Sequence, residues 1–102
     1  MKTGKEMLIT VLQEAATVIQ LPENDFSWSS WEDATTALAE IQGIERQINN
    51  DDFSRLFDLS VIFAPTGPMQ ELSLSSGWGD LFLKLAERYD EAEKKLQDEL
   101  FA

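Results

Sequence analysis

The sequence contains no cysteine and no histidine. Without cysteine there is neither a disulfide nor a thiolate nucleophile. Without histidine, the usual general base near neutral pH and the commonest transition-metal ligand are both missing. No run of about 18 apolar residues occurs, so no membrane-spanning helix is expected. Lys2 and Lys5 precede an apolar stretch, but Thr10, Gln13 and Glu14 break it into an amphipathic pattern unlike the continuous core of a signal sequence. A cytoplasmic location is the expectation. Basic residues are scarce: 8 Lys and Arg stand against 19 Asp and Glu, a formal net charge of −11.

The distribution of charge says more than its sum. Between Glu6 and Glu45 lie Glu6, Glu14, Glu23, Asp25, Glu32, Asp33, Glu40 and Glu45, and no Lys or Arg. Such a surface repels nucleic acid and anionic membranes, and it steers a basic protein toward itself. Surplus acid also keeps a protein soluble without any further role.

A chain of 102 residues, with six Phe and three Trp, suits one domain with one core. Leu8, Val11, Leu12, Ala15 and Ile19 recur at helical spacing and predict a first helix over about 5–20, ended by Leu21-Pro22. A loop, 23–29, follows. A second helix is expected with Ser29 or Ser30 as N-cap and with Glu32 and Asp33 in its first turn, where carboxylates face the positive end of the helix dipole. Its apolar stripe is Trp31, Ala34, Leu38, Ile41, Ile44 and Ile48, interrupted by Gly43. Asp51 or Asp52 is read as the cap of a third segment, in which Phe53, Leu56 and Phe57 fall at helical spacing.

Residues 59–75 have two readings. Pro68 at a first helical position, Gln70 and Glu71 in the first turn and Gly77 at the end describe a short helix. Alternation of Leu72 and Leu74 with Ser73 and Ser75 describes instead a strand paired with 59–63. The last helix, from Asp80 to about Leu100, carries a stripe of Phe82, Leu85, Tyr89, Ala92 and Leu96. The pairs Asp80–Lys84, Asp90–Lys94 and Glu91–Lys95 have the acid-first order that supports a helix. The expected fold is all-α, a bundle of four to five helices, with an α+β form carrying a hairpin at 59–75 as the alternative.

Motifs of chemistry are missing. Gly77-Trp78-Gly79 lacks the lysine and the preceding strand of a phosphate loop. Ser73, Ser75 and Ser76 have no histidine to activate them and read as turn and cap residues. Asp51, Asp52 and Asp58 do not follow the calcium-loop pattern. No catalytic residue, cofactor or metal is assigned, and a non-enzymatic protein is expected. Of the aromatics, Trp31, Phe57, Phe82 and Tyr89 are assigned to the core. Phe26 and Trp28 sit among acids in a loop, the composition of a binding hot spot, although either could fold back as a staple.

The expectation is a small acidic inhibitor or immunity-type protein that occludes a basic partner, such as a nuclease toxin or another nucleic-acid-handling protein. Its binding residues would be Glu23, Asp25, Phe26, Trp28, Glu32, Asp33 and Glu40. Neither nucleic acid nor membrane is expected as a partner. The alternative is a structural or adaptor domain that self-associates as a homodimer through its C-terminal helix, with Leu96 and Leu100 at the contact.

Overall fold

The computed structural model describes residues 2–101. Among them are five helices and no strand: α1 (Gly4–Ile19), α2 (Ala34–Asn49), α3 (Leu56–Ile62), α4 (Pro68–Ser76) and α5 (Gly79–Leu100). The hairpin alternative is overturned, because residues 68–76 are helical. Pro68 occupies the first turn, where its missing N–H is no loss. Gly77 closes the helix at φ 85°, a conformation open to glycine without a Cβ penalty.

Helices α1 and α5 form the central pair, and α1 packs also against α2. Their buried residues are those of the sequence stripes: Leu8, Val11, Leu12, Ala15 and Ile19 from α1, and Phe82, Leu85, Tyr89, Ala92 and Leu96 from α5. The two helices run antiparallel. At one end the Gly4 N–H donates to Glu99 Oε1 at 2.8 Å, and further along Arg88 pairs with Glu14. Gly4 is required there by close approach: a Cβ would overlap the Leu96 backbone, with the Leu96 Cα at 2.7 Å. Thr3 caps α1 in a capping box with Glu6, whose carboxyl is held below its ordinary range by those hydrogen bonds.

The structure differs from the sequence expectation in four details. Helix α2 begins later than expected: Asp33 is its N-cap, its carboxylate accepting from the Thr36 N–H at 2.8 Å, and Glu32 precedes the helix. Trp31 is buried, but from the loop before α2. Neither Asp51 nor Asp52 caps α3. Asp51 ends α2 in the left-handed region and pairs with Lys5 at 2.8 Å, while Asp52 accepts from the Ser54 N–H at 3.1 Å. In α3 the core side is taken by Leu59 and Ile62, followed by Phe63, so Phe57 points away and is 77 % exposed. At 100° per residue a position two before Leu59 lies almost opposite it.

Gly43 is not a close-approach site, since the nearest atom a Cβ there would meet is Arg46 Nη2 at 4.0 Å. None of the acid-first pairs on α5 closes to ion-pairing distance among the described residues, and Lys95 donates instead to the Lys2 carbonyl at 2.6 Å. Among the described residues, no helix is long and apolar enough to cross a membrane.

Candidate functional site: a strap laid across α4

The connection from α1 to α2, residues 20–33, is longer than most helix–helix connections in bundles. It is nevertheless fastened along its length. Asn24 begins the fastening: its Nδ2 donates to the Val18 and Ile19 carbonyls at 2.8 and 2.9 Å, in the last turn of α1 where carbonyls lack their intrahelical partners, although that of Val18 also accepts from the Leu21 N–H. Its Oδ1 accepts from the Trp78 indole N–H at 2.9 Å. The chain then passes over α4 in the opposite direction. The Asp25 N–H donates to Ser76 Oγ at 2.9 Å, and Ser75 Oγ donates to the Asp25 carbonyl at 2.7 Å. Further on, the Ser30 N–H donates to Glu71 Oε1 at 3.1 Å, and Ser29 Oγ donates to the Pro68 carbonyl at 3.0 Å. Phe26 packs against the core between these attachments, and Trp31 closes the strap by burial.

Trp28 is the exception. It sits between the two sets of fasteners and is 77 % exposed. Its indole borders a shallow groove of about 350 Å³ with Gln70, Glu71, Leu74 and Ser75. Leu74 is 65 % exposed, so an indole and an isobutyl group face water side by side. A large apolar side chain projecting from a segment fixed on both sides gives up little conformational freedom when it docks.

The seven residues singled out from sequence take different places. Glu23, Asp25, Phe26, Trp28, Glu32 and Asp33 all lie on the strap. Glu23 and Glu32 are exposed. The Asp25 carboxylate accepts from the Ser27 N–H at 2.9 Å, and that bond with the Ser27 side chain holds its pKa below the ordinary value. Hydrogen bonds from Thr36 do the same for Asp33. These two acids are therefore structural as well as charged. Phe26 is half-buried against the core and does not occupy the staple position before the Asp33 cap, so of the two aromatics Trp28 is the exposed one.

Glu40 stands on α2, off the strap, beside a second depression that includes Ser30, Trp31, Val61 and the Arg55–Asp58 ion pair. Leu74 and Glu71 complete the site and were not singled out from sequence. The available signal was the two-residue offset of Leu74 from Leu72, which turns it away from the buried side of α4 formed by Met69, Leu72 and Ser73. Ser75 and Ser76 proved to be clamps on the strap in place of turn residues, and Ser73 bonds within α4 to the Gln70 carbonyl at 2.8 Å.

No group of Asp and Glu among the described residues is arranged to hold a metal ion. The groove presents an indole and an isobutyl group beside the Glu71 carboxylate. Comparison with protein-family models, with curated proteins and with solved structures finds no match to this chain.

Proposed function

We propose that this chain is a non-enzymatic binding protein of the inhibitor or immunity type, acting in the cytoplasm by occluding a basic protein partner with the strap across α4. The observation that carries the reading is the exposed Trp28 held on a strap fastened on either side of it. Tryptophan is the residue most enriched at binding hot spots, and it works best when surrounding contacts exclude water. Here Trp28 and Leu74 supply the apolar anchor. Glu71 lines the groove beside it, and Glu23 and Glu32 are exposed on the same strap, charge that would attract and orient Lys and Arg side chains. Nuclease toxins and other nucleic-acid-handling proteins present surfaces of that chemistry.

The test is capture of a partner from host lysate, washed at low and at high salt. A basic protein recovered at low salt, depleted at high salt and lost with Trp28→Ala supports the reading. Recovery indifferent to salt and to Trp28→Ala sinks it.

A second reading, self-association, keeps one supporting observation: Leu100 and Phe101 at the end of α5 are exposed. Leu96 is buried against α1, so at this end of α5 the exposed apolar residues are Leu100 and Phe101. A mass in solution of one chain, unchanged by Phe101→Ser, removes this reading.

A further inference from the structure

Gln70 borders two openings. On one side of it lies the Trp28 groove, and on the other a cleft of about 350 Å³ between α3, α4 and α5. The cleft is walled by the rings of Phe63, Phe82 and Tyr89, and Asp90 and Glu93 of α5 contribute two carboxylates. No Lys or Arg lines it. The Phe63 and Tyr89 rings stack with centroids 4.6 Å apart and planes at 7°.

Tyr89 is 2 % exposed, and its hydroxyl is enclosed without a hydrogen-bond partner among the described residues. Buried polar groups in native proteins are almost always paired, and the group placed to serve this hydroxyl is the Glu93 carboxylate, which also lines the cleft. Burial, then the charge of Glu93, pushes the phenol above its usual range, so it is a neutral group able to accept as well as donate.

We propose that this cleft receives the arginine side chain of a protein partner. The guanidinium donates N–H groups to Asp90 and Glu93 at the cleft mouth, and it reaches the Tyr89 hydroxyl behind them only as the lining side chains part to admit it. The fit is one of shape and charge together. A guanidinium is flat, weakly hydrated and able to stack on an aromatic face, whereas the lysine ammonium is compact and strongly hydrated. Carboxylates at positions 90 and 93 share one helix face and match the forked donors of arginine. The aliphatic stem has Leu83 and Ala86 to lie on. The inference deepens the occlusion reading, on which it rests for the arginine belonging to a protein. The preference of the cleft for a guanidinium stands without it.

The experiment is an NMR titration of the full chain, ¹⁵N-labelled, with Nα-acetyl-arginine methylamide and with its lysine and citrulline counterparts. Saturable shifts confined to residues 60–65, Gln70 and 82–93 are expected for arginine, with a Kd on the order of millimolar as suits so small a ligand. The lysine compound and the neutral citrulline compound should each bind about tenfold more weakly.

Glu93→Gln and Tyr89→Phe should each weaken arginine several-fold. Trp28→Ala should leave it unchanged, so failure of the strap reading and failure of this one are told apart. Citrulline binding as well as arginine, or shifts scattered over the acidic surface without saturation, overturns the proposal. So does a Tyr89→Phe chain that melts markedly lower yet binds arginine undiminished, since the hydroxyl would then be paired inside the protein.

Discussion

The α1–α5 pair and the strap across α4 are held by different forces, although they meet along the same core. The pair is joined by apolar side chains that touch over most of the length of α1, and its few polar links are exposed. The strap is joined by hydrogen bonds donated by Asn24, Ser29 and Ser75 and accepted by Ser76 and Glu71, with Phe26 and Trp31 the main apolar attachments. Apolar burial is non-directional and cumulative, whereas each such hydrogen bond depends on one geometry and contributes on the order of 1 kcal/mol net. The pair is expected to set the global stability and the strap to open locally first.

Substitutions can break this contrast or sharpen it. Leu12→Ala removes a fully buried side chain from the centre of α1 and should cost about 2–5 kcal/mol in denaturant unfolding, melting pair and strap together. Asn24→Ala removes two bonds to the end of α1 and orphans the Trp78 indole N–H, and should cost about 1–3 kcal/mol. Its diagnostic is hydrogen exchange: amides of residues 24–31 should speed up well before those of α1 and α5. Equal acceleration everywhere would show that strap and pair form one cooperative unit.

Trp28→Ala should change stability by less than about 0.5 kcal/mol, because the indole faces water, while abolishing partner capture. A large loss of stability would place Trp28 in the core in solution. The smallest effect is one of pH. Hydrogen bonds depress the Asp33 pKa in the folded chain, so its contribution is present above the unfolded value, near 4, and is lost as pH falls through the folded one. Asp33→Asn keeps the cap and should flatten that part of an acid titration of stability.

The same contrast decides what could be read in the sequence. The stripes of α1 and α5 repeat at the helical period over several turns, and every residue assigned to them is buried. Helix α4 was legible at both ends because Pro68 and Gly77 act through local backbone geometry. Helix α3 spans only seven residues, too few for periodicity to fix a face, and the helical spacing of Phe57 from Phe53 points to the core although Phe53 lies outside the helix. Trp31 was correctly placed inside but on the wrong element, since burial and helicity are separate properties. The strap itself was visible only as a loop rich in Ser, Asn and Asp. Its attachments join residues about fifty positions apart through side-chain hydrogen bonds, which leave no periodic trace. The acids of the candidate site were visible as charge, but the roles of Asp25 and Asp33 in local hydrogen bonding were not.

The antiparallel junction of Gly4 with Glu99 has a practical side. Helix α1, 16 residues and so about 24 Å long, separates that junction from the start of the strap. Anything attached before Lys2 or after Phe101 therefore leaves from one pole of the molecule, with the strap beginning at the far end of α1. A fluorophore or a surface tether can be placed at either position while Trp28 stays clear, and a pair of dyes placed at both would sit close enough to report on fraying of this junction alone.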